Sequence, residues 1–152
     1  MEGLSRYLKK FKIAIGDKTA EDIKIKIGSA IPLDEELSMM IKGRDFIQGL
    51  PRTAQISTNE IVRAIDKELR VMISAIKDVL SQTPPELAAD IIDNGIIMTG
   101  GTSQLRNFPE LVKRRTGVKA QLADQALFCV VKGTGEALKH LDVYKKAIIS
   151  KR

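Results

Sequence analysis

The 152-residue chain has one cysteine, one histidine, no tryptophan and only 4% aromatic residues, and each shortage excludes a class of chemistry. A lone cysteine, Cys129, cannot form an internal disulfide, and its neighbours Phe128, Val130 and Val131 predict a buried small hydrophobe rather than a nucleophile. With His140 as the sole imidazole, neither a metal site nor an acid–base triad built on histidine is expected. No apolar run approaches the ~20 residues that span a bilayer. The start of the chain is charged from Glu2 onward and lacks the apolar stretch of a secretory signal. The expectation is a soluble chain in a reducing cytoplasm.

Charge is present in quantity and unevenly placed. The net charge is +6, and residues 101–152 hold 11 basic and 4 acidic groups, whereas residues 1–100 hold 14 and 15. One basic cluster is Lys113, Arg114 and Arg115, at a predicted helix end where cations meet the negative pole of the helix dipole. A second is Lys145, Lys146, Lys151 and Arg152. With few aromatics to stack on bases, these read as a solvated face, with weak attraction to anionic lipid or a partner as the lesser reading, and stacking recognition of nucleic acid is poorly supported.

Helical periodicity appears at residues 4–11, with Leu4, Leu8 and Phe11 on one side, and at Thr19 to Ile27, capped by Asp17 or Thr19 and stopped by Gly28. Residues 36–57 change to alternation. Strands are expected at 38–43, 44–47 and 52–56, with turns at Gly43-Arg44-Asp45 and Gln48-Gly49-Leu50-Pro51. Ser57-Thr58-Asn59-Glu60 is a capping box opening a long helix. Its stripe of Ile61, Ile65, Leu69, Met72, Ile76 and Val79 should be core. Pro84 and Pro85 stop that helix and open a shorter one ending at Asn94-Gly95, and Ile96–Met98 follows as a strand. Beyond it come a helix over 108–116 closed by Gly117, a strand over 118–122 and a helix over 126–138. The last contains Gly133 and Gly135, each unfavourable by about 1 kcal/mol against alanine, which suggests close packing on a neighbour.

The most informative stretch is Gly95-Ile96-Ile97-Met98-Thr99-Gly100-Gly101-Thr102-Ser103-Gln104-Leu105, an apolar strand running into a diglycine turn and a polar segment. Glycines at such a turn admit positive φ and let backbone N–H groups approach a nucleotide. By itself the pattern is common to α/β domains. It is accompanied, however, by Gly16-Asp17-Lys18-Thr19-Ala20-Glu21-Asp22-Ile23-Lys24-Ile25-Lys26-Ile27-Gly28, by Thr83-Pro84-Pro85-Glu86-Leu87 and by Lys132-Gly133-Thr134-Gly135. In this order, from about Arg6 to about Asp142, the chain resembles the C-terminal half of the bacterial actin-like MreB family.

That resemblance implies an α/β chain with a partial actin-like ATPase (ribonuclease H-like) fold. It would be the second lobe, formed by residues 1–14 and 57–152, with a small inserted α+β subdomain at 15–56. It implies an adenosine-binding wall at Glu21, Asp22, Ile23 and Lys24 of one helix, and at Gly100, Gly101, Thr102, Ser103 and Gln104 of the turn. A carboxylate at Glu21 would accept ribose hydroxyls, while Lys24 would lie near the base; an ordinary surface ion pair is the alternative. The family usually carries a third glycine where this chain has Thr102, which implies a narrower turn. The two phosphate loops and the Mg²⁺ ligands of the family have no counterpart in this sequence. No catalytic or metal residue is therefore assigned, and ATP binding by this chain alone is expected to be weak or absent. In the complete protein the resemblance implies ATP- and Mg²⁺-dependent self-association into cytoplasmic filaments. It further implies contact with the cell-wall elongation machinery and the membrane, the latter through the other half. The alternatives are part of a chaperone or sugar-kinase ATPase of the same fold, or a basic nucleic-acid-binding module.

Overall fold

The computed structural model describes residues 13–144. The predicted helix at 4–11 and the cluster Lys145, Lys146, Lys151 and Arg152 lie outside the described residues. The elements run β1 (Ile13–Ala14), α1 (Asp17–Ile27), β2 (Ser38–Asp45), β3 (Pro51–Ser57), α2 (Thr58–Ser81), α3 (Pro85–Asn94), β4 (Ile96–Met98), α4 (Phe108–Thr116), β5 (Ala120–Leu122) and α5 (Cys129–Lys139). Short 3₁₀ turns at Thr102–Gln104 and Ala126–Phe128 complete the order.

Two apolar clusters organise these elements. In the first, β1, β2 and β3 form an antiparallel sheet in that order, and α1 packs on it through Ala20, Ile23 and Ile27. Ile13, Ile41, Ile56 and Ile61 fill the cluster, and burying each isoleucine stabilises by about 1.5–3 kcal/mol. The second gathers Leu69 and Ile73 of α2, Met98 of β4 and Phe108, Leu111 and Val112 of α4 around the parallel pair β4–β5. Helix α2 contributes to both, Ile61 and Ala64 to the first and Leu69 and Ile73 to the second. Its start is fixed by the expected capping box, in which the Glu60 carboxylate accepts the Ser57 N–H at 2.8 Å.

Several expectations need correction. Gly43-Arg44-Asp45 is not a turn: β2 continues to Asp45, and the chain turns over residues 46–50, with Gly49 at φ 73°, so the separate strand expected at 44–47 is not formed. Gly43 is instead the site where β1 crosses close by, since a Cβ there would stand 2.3 Å from the Ala14 carbonyl oxygen. Neither Asp17 nor Thr19 caps α1: the helix starts at Asp17, three residues before a Thr19 cap would allow, after Gly16 and without a side-chain cap. Met72 and Val79 are exposed: the buried side of α2 runs through Leu69, Ile73 and Ile76, leaving Met72 beside it and Val79 beyond it. The strand predicted over 118–122 shortens to Ala120–Leu122. Nothing lies within 4 Å of a Cβ at Gly133 or Gly135, and α5 has no buried residue, so close packing does not account for these glycines. Cys129 is half-buried rather than buried, and its neighbours Phe128, Val130 and Val131 are exposed.

Candidate functional site

The diglycine turn stands against the end of α1 because two backbone segments are laced together there. Ser29 bridges Arg106 in parallel fashion, the Ala30 N–H donates to the Arg106 carbonyl at 2.8 Å, and the fully buried Ser29 hydroxyl donates to Ile31 O at 2.7 Å. Gly28 makes this approach feasible, for a Cβ on it would lie 3.1 Å from Leu105 Cδ1.

The turn is held from within. Gly100 has φ 85°, a conformation that favours glycine; its N–H donates to Ala126 O at 2.8 Å, and its carbonyl accepts the Ser103 hydroxyl at 2.6 Å. Gly101 is right-handed, so only one of the two glycines needs positive φ. What Gly101 permits is the approach of Leu127, whose Cδ2 would stand 3.3 Å from an added Cβ.

These contacts leave a cleft of about 500 Å³ between α1 and the turn. Glu21 and Lys24 line it from the helix, and Gly101, Thr102 and Gln104 from the turn. Four other predicted residues stand off its lining. Ile23 is fully buried in the first cluster, Ser103 is buried and engaged with Gly100, Gly100 serves the turn's shape, and Asp22 is a neighbour of the lining residues. Glu21 and Lys24 bond to each other at 2.8 Å. Both are about one-third to two-fifths exposed, so the pair contributes well under 1 kcal/mol and its partners can be exchanged for a ligand's. One carboxylate oxygen of Glu21 carries the lysine, leaving the other to accept hydroxyl groups.

Sequence reasoning missed Ile25, Leu105, Arg106 and Leu127, which also line the cleft. Ile25 left a signal: with Ala20, Ile23 and Ile27 facing the core, an isoleucine 69% exposed on the polar side of α1 breaks the helical period. Together, Ile25, Leu105 and Leu127 offer apolar surface for a flat ring, the Glu21–Lys24 pair offers polar partners, and Arg106 offers a cation. Among the described residues no group of three His, Cys, Asp or Glu side chains could hold a metal ion.

Comparison with known proteins adds a family to this geometry. A family model described as MreB/Mbl protein matches residues 2–146. The cell shape-determining protein Mbl of Bacillus cereus is 42% identical over 142 residues, covering 93% of this chain and 43% of the relative. The cell shape-determining protein MreB of Escherichia coli is 39% identical over 144 residues, covering 94% and 42%. Among solved structures, MreB5 of Spiroplasma citri bound to ADP superposes with a TM-score of 0.87 at 36% identity, over 99% of this chain and 45% of that one. The same protein bound to AMPPNP gives 0.88 at 35% identity, over 97% and 45%. The chain thus spans less than half the length of the relatives it matches. Its fold is a partial actin-like ATPase fold, and the chaperone, sugar-kinase and nucleic-acid alternatives gain no support from these matches.

Proposed function

This chain belongs to the MreB/Mbl family, and from that premise we propose that its glycine-turn cleft is the adenosine side of a nucleotide site in a cell shape-determining, actin-like protein. The observation that carries the reading is the meeting of Glu21 and Lys24 with Gly101, Thr102 and Gln104 around one cleft, although some 80 residues separate them in sequence. The relatives bound to ADP and AMPPNP support a purine nucleotide as the ligand. Glu21 accepts ribose hydroxyls, the stem of Lys24 and the Ile25, Leu105 and Leu127 side chains flank the base, and Asp22, Ile23, Gly100 and Ser103 hold those groups in position. The first apolar cluster, made by α1, β2 and β3 with Ile13, Ile61 and Ala64 joining from either side, supports a small inserted subdomain at about 15–56 beside the rest of the lobe.

In the complete protein, ATP with Mg²⁺ supplies the phosphoryl chemistry that drives self-association into cytoplasmic filaments organising cell-wall synthesis and cell shape. Contacts with the elongation machinery and, through segments outside this chain, with the membrane belong to that assembly. No helix among the described residues is long and apolar enough to cross a membrane.

Isothermal titration of the 152-residue chain tests the site. Base and ribose contacts form one wall of an open cleft, and binding must overcome at least ~4 kcal/mol of lost translational and rotational freedom. The expected affinity is about millimolar, equal for ATP, ADP and adenosine and indifferent to Mg²⁺. A micromolar, Mg²⁺-dependent preference for ATP would overturn the assignment of this cleft to the adenosine side alone.

A further inference from the structure

The chain has three asparagines, Asn59, Asn94 and Asn107, and only Asn94 is followed by glycine. An asparagine side chain can be attacked by the backbone nitrogen of the next residue, and the attack is least hindered where that residue has no Cβ. Asn59 and Asn107 precede Glu60 and Phe108. Asn59 is also held at both ends of its amide, where Oδ1 accepts the Leu33 N–H at 3.0 Å and Nδ2 donates to Leu33 O at 3.2 Å and to Glu36 Oε1 at 2.8 Å. Those partners lie far off in sequence.

At Asn94 the restraint is local to one helix end. Its Nδ2 donates to Asp90 O at 2.9 Å, and the Gly95 N–H, which carries the attacking nitrogen, donates to Ile91 O at 2.8 Å. Both bonds fold the last turn of α3 onto itself, so both are lost together when that turn frays. The turn is poorly secured. Asp93 lies in it, Asp90 adjoins it and it holds no basic residue, whereas the C-terminal pole of a helix favours cations and disfavours carboxylates.

We propose that Asn94-Gly95 is a modification site at which the chain deamidates itself whenever the last turn of α3 opens. The Gly95 nitrogen, having lost its proton to hydroxide, attacks Asn94 Cγ; the N–Cγ bond forms, the Cγ–Nδ2 bond breaks, and ammonia leaves with a proton returned by water. The product is a cyclic imide. Water then opens it at either carbonyl, giving aspartate if the N–Cγ bond breaks and isoaspartate if the bond from nitrogen to the Asn94 backbone carbonyl breaks. Water is the only co-reactant.

Either product weakens the junction that follows. Aspartate adds a carboxylate to a helix end that already has Asp90 and Asp93, and it removes the Nδ2 donor from Asp90 O. Isoaspartate also inserts a methylene into the main chain, directly before a glycine so tightly placed that a Cβ on it would stand 2.6 Å from Lys119 O. Just beyond, the Ile96 N–H donates to that same oxygen at 2.8 Å and Ile96 pairs with Ala120, so the extra atom disturbs the start of β4.

Peptide-resolved mass spectrometry of the full chain, aged in mildly alkaline buffer with and without denaturing urea, tests this, and isoaspartyl methyltransferase labelling identifies the product. In buffer, Asn94 is expected to convert at least about tenfold faster than Asn59 or Asn107, with isoaspartate among its products. In urea, where the two restraining bonds are gone, Asn94 converts at least about tenfold faster than in buffer. Asp93→Lys favours the folded helix end and slows conversion about two- to threefold in buffer but leaves the rate in urea unchanged. An Asn94 that stays intact, equal conversion at the three asparagines, the same Asn94 rate in both media, or a slowing by Asp93→Lys that persists in urea would each overturn the proposal.

Discussion

Gly28 and Leu105 are so close that a methyl group on the glycine would lie 3.1 Å from Leu105 Cδ1, and 2.3 Å from the Lys24 carbonyl oxygen that the Gly28 N–H already engages. The end of α1 and the exit of the diglycine turn thus touch through a residue with no side chain. Backbone cannot yield as a flexible side chain would, so Gly28→Ala is expected to cost about 1–3 kcal/mol. A lowered urea midpoint with an unchanged slope would show it, whereas an unchanged midpoint would mean that α1 and Leu105 shift apart freely.

Gly133→Ala and Gly135→Ala should act in the opposite direction. Both glycines lie within α5, and a Cβ at either meets open space. Alanine is favoured over glycine in a helix interior by about 0.8–1 kcal/mol. Each substitution is therefore expected to raise the stability of this chain by up to that amount in urea titrations. A loss of stability would show that α5 packs more closely in solution than its exposed surface indicates.

Local signals were legible in the sequence wherever the chain itself fixes the conformation. Pro85 at the start of α3, Gly117 at φ 78° after α4 and the Ser57–Glu60 capping box are properties of a few consecutive residues. What could not be read is set by distant partners. Gly43 looks like a turn residue until β1 is placed across it, and Met72 looks like core until the packing of α2 is seen to choose Ile73 in its place. The cleft divides in the same way. Glu21 and Lys24, three apart on a helix, were readable as a pair, whereas Arg106 and Leu127 enter only through the Ser29–Arg106 bridge and the Gly101–Leu127 approach.

Acid should weaken the β2–β3 hairpin through Asp45. Its carboxylate accepts the Gln48 N–H at 2.9 Å, the Ile47 N–H at 2.8 Å and the Arg52 guanidinium at 2.9 Å. These donors, Gln48 first, hold its pKa below the ordinary value of 3.8. Because the folded value is the lower one, the contribution is complete above about pH 4 and is lost as pH falls through the lowered pKa. Asp45→Asn should be less stable than the parent at pH 7, and the gap should close as pH falls below 4. Glu110, held down by Arg114, moves in the same direction but belongs to both proteins and cancels in the comparison. A gap that stays constant with pH would place the effect in packing rather than in charge.

The two glycine-turn positions should separate shape from access. Gly100 needs its φ of 85°, a region that costs a residue with a Cβ about 1–2 kcal/mol, even though the space around it is open. Restoring an ordinary φ would pull its N–H from Ala126 O and its carbonyl from the Ser103 hydroxyl, and these two bonds keep Thr102 and Gln104 facing α1. Gly100→Ala is therefore expected to lose both stability and adenosine binding. Thr102 has no such task, since it begins the 3₁₀ turn in an exposed position and its side chain takes up room in the cleft. Replacing it by glycine should leave the turn standing at a cost within about 1 kcal/mol and strengthen adenosine binding by roughly threefold, a gain of about 0.7 kcal/mol. Saturation-transfer NMR with adenosine, suited to millimolar ligands, can rank the two variants against the parent chain. Should Thr102→Gly bind less adenosine than the parent while melting at the same temperature, the threonine hydroxyl would be a ligand contact rather than an obstruction.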